Sequence, residues 1–365
     1  MNVQSPAKPH RVGIPPRTAD EQVQKFHSFL SNQKFEPLPE PTGAFPYRLS
    51  TAEIGIAPAN GQRVLHVTGD TGGVKDPNPQ LHVAEAMVGD LVAPGVVPEP
   101  SFFFHVGDVV YFNGEESEYG AQFYEPYAHY NAPIVALAGN HDGDPGESGA
   151  PSLAGFVENF CSATPHLDPQ AQETNRDTMT QPNVYWTLAD ELLSIVGLYT
   201  NVPEGGQVHQ DQIEWLVAEL KEAPADRALI VALHHPPYSA DAHHGGSARM
   251  GQMLDEAFEH AGRTPDMVLS GHVHNYQRFT RTIAGKKVPY IVAGAGGYHN
   301  LHAIAKAPGG GPLQLPFTAT EDCELEAFCD NQWGFLRLSL KPGQIAGEYV
   351  AVDRKGTVTR NVDTF

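Results

Sequence analysis

One local pattern recurs five times in the chain: a short apolar run, rich in β-branched or aromatic residues, ends in glycine or histidine, and a polar cluster follows. The five runs are RVLHVTGD, SFFFHVGD, PIVALAGNHD, ALIVALHHPP and DMVLSGHVH. Each has the length and composition of a buried strand. Helix-like segments lie between several of them, namely PQLHVAEAMVGDLVA, EYGAQFYEPYAHY, QDQIEWLVAELKEA and ARMGQMLDEAFEHAG. This alternation of strand, loop and helix predicts an α/β fold.

A second group of runs alternates more clearly between apolar and polar residues: NVYWTLAD, LLSIVGLYT, KKVPYIVAGAG, WGFLRLSL and IAGEYVAVD. We predict that these strands form a second sheet, mixed or antiparallel, packed face to face with the first. The predicted fold class is therefore α/β, a four-layer α-β-β-α sandwich of two mixed sheets flanked by helices. It is expected to span residues 61–365.

The segments outside this sandwich are predicted from their composition. Residues 1–60 are rich in proline and polar residues, include the helix-like stretch TADEQVQKFHSFL, and are expected to form an arm packed on the main domain. Residues 307–331 begin with APGGGPLQLP and are expected to form a long loop. Cys323 and Cys329 lie in this polar stretch, where they either pair in an oxidising compartment or remain free thiols; no CxxC zinc pattern is present.

Charge and hydropathy exclude several classes of partner. The formal net charge is −20, and the isoelectric point is about 5.2. Such an acidic surface repels nucleic-acid backbones and anionic membranes. No apolar stretch approaches the roughly 18 residues of a membrane helix, and the first residues lack the apolar core of a signal peptide. The sequence therefore predicts a cytoplasmic protein, with periplasmic or secreted location as the alternative if the numbered chain lacks an export signal.

The polar clusters at the five strand ends carry metal-ligand residues. In open α/β sheets, ligands bind just beyond the carboxyl ends of the strands, so groups distant in sequence can converge there. A single Gly-Asp or His-x-His in such a place is usually turn or capping chemistry, but five clusters in order predict a site. His66 and His105 lie inside strand runs and are predicted to be structural. The clusters contain Asp70, Asp108, Tyr111, Asn140, His141, His234, His235, His272 and His274, and His243 and His244 follow shortly after His235.

The residue types indicate the kind of metal. Carboxylate, imidazole, amide and phenolate groups are ligands for hard or borderline metals. Because no thiolate is among them, a cysteine-rich structural zinc site is excluded. The sequence therefore predicts a metal centre at the carboxyl ends of the strands, where one carboxylate can bridge two ions.

The series GDTG, GDVVY, GNHD, VALH and GHVH, between about Arg63 and Arg278, resembles the five-block signature of the metallophosphoesterase (calcineurin-like) superfamily. More narrowly, it resembles the purple acid phosphatases. Gly72 stands where other members of the superfamily carry a metal-binding histidine, and Tyr111 stands where purple acid phosphatases supply a tyrosine. The resemblance implies an acid phosphatase that cleaves phosphate monoesters by in-line attack of a metal-activated hydroxide.

Carried over position by position, the resemblance implies two ligand sets that share Asp108. Because a hard, anionic phenolate favours a trivalent ion, the first metal is expected to be Fe(III) and the second Zn, Mn or Fe(II). The family also places histidines over the substrate, and His141 or His244 is expected to protonate the leaving group. The first set is Asp70, Asp108, Tyr111 and His274; the second is Asp108, Asn140, His234 and His272; the histidines over the substrate are His141, His243 and His244.

Two other functions compete with this prediction. A metal-dependent phosphodiesterase of the same superfamily would share the fold and most ligands, and Gly72 and Tyr111 argue against it. A non-catalytic scaffold would keep the fold as a binding surface, and the complete ligand set argues against it. The expected partner is a small phosphoester, with neither nucleic acid nor membrane, while the physiological substrate and the oligomeric state stay open.

Overall fold

The computed structural model describes residues 34–92, 99–146, 149–171, 174–307 and 309–365. Within these ranges the strands are β1 (Arg48–Ser50), β2 (Arg63–Thr68), β3 (Phe102–His105), β4 (Ile134–Ala136), β5 (Trp186–Ala189), β6 (Leu193–Leu198), β7 (Ala228–Leu233), β8 (Met267–Ser270), β9 (Tyr276–Ile283), β10 (Lys286–Ala293), β11 (Phe317–Thr320), β12 (Cys323–Cys329), β13 (Trp333–Lys341), β14 (Gln344–Val352) and β15 (Val358–Thr364). The α-helices are α1 (Asn78–Val92), α2 (Asn140–Gly143), α3 (Ala154–Phe160), α4 (Gln210–Glu222) and α5 (Ala248–Ala261).

The strands form two mixed sheets, which confirms the predicted fold class. One sheet has six strands in the order β15-β14-β13-β2-β3-β4, and the other has nine in the order β1-β5-β6-β7-β8-β10-β9-β12-β11. Strands β2, β3 and β4 run parallel to one another. In the larger sheet β6, β7, β8 and β10 also form parallel pairs. Each sheet therefore has a block of parallel strands whose carboxyl ends can hold a site.

The division of strands between the sheets differs from the prediction. The first group of runs is split, because β2, β3 and β4 lie in the smaller sheet while β7 and β8 lie in the larger one. The second group is split as well, with β5, β6 and β10 in the larger sheet and β13 and β14 in the smaller one. The prediction was wrong because hydrophobic periodicity reports how a strand is buried, whereas pairing between distant strands leaves no local mark in the sequence.

The core lies in layers because successive strand residues face opposite sides of a sheet. Phe102 and Phe104 of β3 are fully buried in a cluster that also contains Ile230 of β7 and Leu269 of β8, so these side chains fill the space between the sheets. Phe103 points the other way and joins the outer core that the helices cover. Helix α1 contacts β13 and β14, and α4 contacts β6 and α5, which completes the outer layers.

Residues 317–329 form an antiparallel pair of strands, β11 and β12, where the sequence predicted a loop. Strand β12 continues the larger sheet by pairing with β9, so the polar composition of this segment reflects an exposed sheet edge. Cys323 and Cys329 begin and end the same strand, and both are free and buried. Six residues of extended chain span about 20 Å, far beyond the roughly 7 Å that a disulfide can bridge.

The described part of the N-terminal segment lies on the larger sheet. Strand β1 pairs in parallel with β5 at the sheet edge. Arg48 donates to Glu219 of α4 at 2.8 Å, and Trp215 Nε1 donates to the carbonyl of Pro46 at 2.7 Å. The helix expected in TADEQVQKFHSFL lies outside the described residues. Of the helices that the structure describes, none has both the length and the apolar composition needed to cross a bilayer.

One of the segments predicted to be a helix is helical over only part of its length. The segment EYGAQFYEPYAHY contains a π-helical turn at Gly120–Tyr124 followed by turns, and not a continuous α-helix. Its aromatic side chains are buried in the outer core, among them Phe123 and Tyr127. Burial of these rings therefore decided the local backbone more strongly than helical periodicity did.

Candidate metal centre

The carboxyl ends of the parallel strands of both sheets meet at one place. Asp70 and Asp108 follow β2 and β3, and the backbone N–H of Asp70 donates to the carbonyl of Gly107 at 2.9 Å. His234 directly follows β7, and its carbonyl accepts from the N–H of Gly271 after β8 at 3.0 Å. Because the strands end side by side, residues up to about two hundred positions apart lie in one cluster.

Three of the predicted ligands have left-handed backbones. The φ angles are 55° at Asp70, 53° at Asp108 and 68° at His272. This conformation is uncommon for residues other than glycine, and strain of this kind concentrates at functional sites. The sharp turn after each strand is what directs these side chains into the shared space.

The first predicted ligand set is assembled around the phenol of Tyr111. Its Oη lies 3.4 Å from Asp70 Oδ1, 3.1 Å from Asp108 Oδ2 and 3.3 Å from His274 Nε2. His274 Nε2 lies 3.6 Å from Asp70 Oδ1. The hydroxyl has one proton and faces three groups that can accept it, so the proton alone cannot satisfy them.

The second predicted set is assembled around the side-chain oxygen of Asn140. Asn140 Oδ1 lies 3.1 Å from His234 Nε2 and 3.0 Å from His272 Nδ1. His234 Nε2 also lies 3.4 Å from Asp108 Oδ1. The two carboxylate oxygens of Asp108 thus face different sets, which is the arrangement that a bridging carboxylate requires.

These separations fit metal ligands. Atoms bound about 2.0–2.2 Å from one ion lie roughly 3–3.5 Å from one another in tetrahedral or octahedral geometry. The carboxylates of Asp70 and Asp108 are buried, and together with His234 they form a group whose ligand atoms lie within 4.8 Å of one another and could hold a cation. The seven predicted ligand residues therefore form two adjoining groups with the donor atoms and spacing that a two-metal centre needs.

Hydrogen bonds to backbone carbonyls fix the orientation of two ligand imidazoles. His234 Nδ1 lies 2.9 Å from the carbonyl of Val106, and His274 Nδ1 lies 3.1 Å from that of Asn300. A proton on Nδ1 leaves the Nε2 lone pair free for a metal, as is usual in metal-ligating histidines. His272 is turned the other way, with Nδ1 toward the centre and Nε2 3.4 Å from Glu204 Oε1.

The buried acidic groups of the cluster need positive charge nearby to be ionised together. Burial and the charge of Asp108 raise the pKa of Asp70 well above its usual value. Burial also raises the pKa of Tyr111 far above that of a free phenol, and the two carboxylates add to the effect. Against the effect of burial, the charges of Asp108 and Asp70 raise the pKa of His234 to about 9, so its imidazolium offsets one carboxylate. A phenolate at Tyr111 beside both carboxylates would need the further positive charge of a bound cation.

Residues around the ligands hold the turns in place. Asp142 accepts from the backbone N–H groups of Val109 at 3.0 Å and Gly139 at 2.8 Å, which joins the turns after β3 and β4. Burial raises the pKa of Asp142 to about 7. Gln122 bonds to both the N–H and the carbonyl of Tyr111, at 2.8 and 2.7 Å.

The histidines predicted to face the substrate lie at different distances from the ligands. The ring of His141 is 4.3 Å from that of Tyr111, and its Nε2 is 4.0 Å from Asp108 Oδ2. The ring of His244 is 4.7 Å from that of His272. His243 is exposed and packs against His302 at 4.9 Å. His141 and His244 therefore border the ligand groups directly, and His243 lies one ring further out.

Glu204 borders the centre and was missed by the sequence analysis. Its Oε1 lies 3.1 Å from His244 Nδ1 and 3.4 Å from His272 Nε2. The run LLSIVGLYT ends in TNVPEGG, so the rule applied to the other strand ends pointed to this carboxylate as well. His302, whose ring packs on that of His274 at 4.5 Å, was also missed because a turn of the chain alone brings it there.

The loop that carries His243 and His244 is anchored to the GHVHNYQ segment. Asp241 Oδ2 accepts from the N–H groups of His243 at 2.9 Å and His244 at 2.7 Å. Asn275 Nδ2 donates to Asp241 Oδ1 at 3.2 Å, and Gln277 Oε1 accepts from the N–H of Ala240 at 2.7 Å. The loop geometry is thus set by side chains that directly follow the metal-ligand motif.

The two histidines predicted to be structural, and also His235, bond to groups outside the ligand sets. His66 contacts Asp90 at 2.9 Å and Tyr130 at 3.1 Å. His105 Nε2 lies 2.9 Å from Thr71 Oγ1. His235 Nδ1 lies 2.7 Å from Thr200 Oγ1, and its ring packs on that of His272 at 4.3 Å. His235 therefore lies behind a ligand, buried in the wall of the site.

Residues 63–276, more than half of the chain, match the family model of the calcineurin-like phosphoesterases. The chain therefore belongs to this family of metallophosphoesterases, whose members act on phosphoesters with a dinuclear metal centre. The five motifs that carry the predicted ligands lie within the matched region.

Curated relatives include purple acid phosphatases. Purple acid phosphatase 21 of Arabidopsis thaliana is 32% identical over 130 residues, which cover 33% of this chain and 28% of the plant protein. Purple acid phosphatase 18 of the same plant is 27% identical over 245 residues, 61% of this chain and 52% of its own length. A Rhodopseudomonas palustris protein named "Probable cyclic nucleotide phosphodiesterase" is 27% identical over 186 residues, 48% of this chain and 58% of its own. The chain thus spans less than two thirds of each relative.

Solved structures share the fold. Purple acid phosphatase PPD1 from yellow lupin superposes with a TM-score of 0.60 at 16% identity, covering 85% of this chain and 54% of the lupin chain. GAP50, the anchor in the inner membrane complex of Plasmodium, superposes with a TM-score of 0.56 at 16% identity, covering 83% of this chain and 88% of GAP50. Because a phosphatase and an anchor share this fold, the side chains of the site must decide the function.

Proposed function

We propose that this chain is a purple acid phosphatase-like enzyme that hydrolyses phosphate monoesters, with ferric iron at the first metal position. The observation that carries the proposal is the position of Tyr111, whose Oη lies 3.1–3.4 Å from ligand atoms of Asp70, Asp108 and His274. Gly72 leaves the space that the phenol ring occupies, since a Cβ at residue 72 would lie 2.6 Å from Tyr111 Cδ2. A ferric ion suits this set because phenolate is a hard, anionic donor.

The two ligand sets differ in their donor atoms, so each set suits a different class of ion. Asp70, Asp108, Tyr111 and His274 would hold the ferric ion, and Asp108, Asn140, His234 and His272 would hold zinc, manganese or ferrous iron. When bound, the two ions would supply a hydroxide nucleophile and the positive charge that offsets the charge developing at phosphorus. The second set has two imidazoles, one amide and a shared carboxylate, which suit a borderline divalent ion.

The histidines at the rim supply the proton chemistry. His141 Nδ1 is fixed by the carbonyl of Phe112 at 2.8 Å, so its Nε2 faces the centre and, when protonated, donates to a phosphate oxygen. His244 Nδ1 faces Glu204, which leaves Nε2 of His244 to hold the proton for the leaving alkoxide. Glu204 positions His244 and compensates its charge when the imidazole is protonated.

An absorption spectrum of the freshly purified protein, with metal analysis on the same sample, tests the proposal. We expect a broad visible band from tyrosinate-to-iron charge transfer that disappears in Tyr111→Phe. Tyr298→Phe is the matched control, because its ring stacks on Tyr111 at 4.3 Å while its hydroxyl is outside both ligand sets. A colourless protein with two divalent ions, or a band that persists in Tyr111→Phe, would overturn the ferric assignment.

A phosphodiesterase of the same superfamily is the second candidate function. The relative from Rhodopseudomonas palustris, named for cyclic nucleotide hydrolysis, supports it. The two functions are separated by comparing a chromogenic phosphate monoester with a chromogenic bis-ester. A kcat/KM at least tenfold higher for the monoester is expected here, and the reverse preference would favour the diesterase. The anchor function of GAP50 is a weaker analogy, because the described residues of this chain retain all seven predicted ligands.

A further inference from the structure

We propose that Glu158, His166 and Asp168 form a third metal-binding site, separate from the two-metal centre, for a divalent transition-metal ion such as zinc. Glu158 lies on α3, and the other two residues lie in the segment that follows this helix. One ligand atom from each residue lies within 4.8 Å of the other two. None of the three residues belongs to the ligand sets described above, so the proposal is independent of the phosphatase assignment.

The orientation of His166 suits a metal ligand. Its Nδ1 lies 3.2 Å from the carbonyl of Thr164, so a proton on Nδ1 is donated there and the Nε2 lone pair points away. Nε2 lies 3.2 Å from Glu158 Oε1. With its one proton on Nδ1, the neutral imidazole and the Glu158 carboxylate both present acceptors that one cation could share. The doubly protonated imidazole instead forms an ion pair with Glu158, so the cation would replace that proton.

Asp168 supplies the observation that points to a ligand. Its side chain is fully buried, and its Oδ1 accepts from the N–H of Gln170 at 2.6 Å. Its Oδ2 has no hydrogen-bond partner among the described residues. A buried carboxylate oxygen without a partner is costly, and such groups are usually paired or coordinate a metal.

The segment that carries these ligands is already held in place by the protein. The N–H of Thr178 donates to the carbonyl of His166 at 2.8 Å, and the N–H of Ala171 donates to the carbonyl of Asp168 at 2.9 Å. The ligand positions are therefore preorganised, which favours binding. An ion here would join the segment after α3 to the helix itself.

The donor set defines the class of ion. Two carboxylates and one imidazole, without a thiolate, suit Zn²⁺ or Mn²⁺, and zinc takes oxygen and nitrogen ligands readily. The side chains of Glu158 and His166 are 48% and 44% exposed, so water has access to the remaining coordination positions. Three protein ligands and an open side leave water to complete the coordination of the ion.

Equilibrium dialysis of the full chain, with its two-metal centre filled, against micromolar ZnCl₂ tests the proposal. We expect one more zinc ion per chain in the wild-type protein than in His166→Gln or Asp168→Asn, measured by elemental analysis. His260→Gln is the matched control, because His260 is exposed at the end of α5 and outside this group. Equal zinc content in wild type and both variants would overturn the proposal, as would an equal loss in the control.

Thermal unfolding provides a second readout that does not depend on activity. Zinc should raise the Tm of the wild-type protein by several degrees more than that of either variant, because only the wild type gains the extra bound ion in its folded state. Without added zinc, Asp168→Asn should melt no lower than the wild type, since asparagine keeps an oxygen to accept from Gln170 and removes the charge from a carboxylate whose Oδ2 has no partner among the described residues. An equal zinc-dependent shift in wild type and Asp168→Asn would contradict the site even if His166→Gln failed to fold.

Discussion

A Cβ atom on residue 72 would lie 2.6 Å from Cδ2 of Tyr111 and 2.4 Å from Oε1 of Gln122, so glycine at 72 leaves room for the phenol ring and for the glutamine that bonds to the Tyr111 backbone. We predict that Gly72→Ala displaces the Tyr111 ring and weakens the first metal position. The visible band should shift or fade, the iron content should fall, and kcat should drop by about tenfold or more. The measurements are the absorption spectrum, metal analysis and steady-state kinetics on one sample.

Gly89→Ala is the control for this prediction. Gly89 lies within α1, and a Cβ there would meet no atom within 4 Å. Because alanine is the better helix former, this variant should keep its colour and be equally or more stable, by about 0.5–1 kcal/mol. An unchanged spectrum in Gly72→Ala would show that the ring can move without leaving the metal, contrary to the proposal.

His244→Ala should lower kcat more than His243→Ala does. His244 borders the ligand His272, with ring centroids 4.7 Å apart, whereas His243 is exposed and packs on His302. Loss of the general acid should lower kcat by about 10²-fold or more for alkyl phosphates and far less for aryl phosphates, whose leaving groups need no proton. Equal losses for both substrate classes in His244→Ala would remove it as the acid and return the role to His141.

Glu204→Gln tests the carboxylate that the sequence analysis missed. Glutamine keeps the shape of the side chain but loses the charge that faces His244 Nδ1 at 3.1 Å and His272 Nε2 at 3.4 Å. We expect a drop in kcat of about tenfold for alkyl phosphates and weaker binding of the second metal, measured by dialysis. Glu214→Gln, on the exposed face of α4, should change neither. Wild-type values for both quantities would contradict the positioning role.

Asn275→Ala should loosen the loop that carries His243 and His244. Asn275 Nδ2 donates to Asp241 Oδ1 at 3.2 Å and to the carbonyl of His302 at 2.9 Å, and the substitution leaves both buried acceptors without this donor. The cost is about 1–3 kcal/mol in the free energy of unfolding. KM should rise in addition, because the loop faces the substrate. A lower Tm with unchanged KM would restrict Asn275 to a structural role.

A buried charge cluster predicts how stability depends on pH. Asp90 contacts His66 at 2.9 Å, Arg337 at 3.0 Å and Arg360. Burial works against the ionised form, but His66 and Arg360 together hold the pKa of Asp90 below its usual value. The folded-state pKa is lower than the unfolded one, so this stabilisation is complete above about pH 4 and is lost as the pH falls further.

Protonation of His66 also lowers the stability of the fold, and this effect begins at a higher pH. Burial lowers the pKa of His66, so its contribution is complete above about pH 6.5 and declines as the unfolded chain takes up protons below that. Asp90→Asn should lower the free energy of unfolding at pH 7 by about 3 kcal/mol, because it leaves the largely buried Arg337 without this counter-charge, and should flatten the acid limb. Urea unfolding at pH 7 and pH 4 measures both. Asp226→Asn, with a side chain 84% exposed, is the control.

The sequence determined the chemistry of the strand ends. Each of the five apolar runs forms a strand, and the polar residues after them lie together, because parallel strands place their carboxyl ends on one side of a sheet. The ligand types and their order are local properties of the chain. The apolar runs predicted the strands, and the order of the ligand motifs carried the family resemblance that pointed to Tyr111 and Gly72.

The tertiary structure alone decided which strands share a sheet, which rings reach the ligands, and what holds them there. Strands β3 and β7 lie in different sheets although their motifs look alike, because distant hydrogen-bond pairing has no local signature. Glu204 and His302 reach the centre only because separate loops fold over it. Strand β11 was hidden in a polar segment because an edge strand buries little apolar surface. Local sequence fixes what a residue can bind, and long-range packing fixes which residues meet.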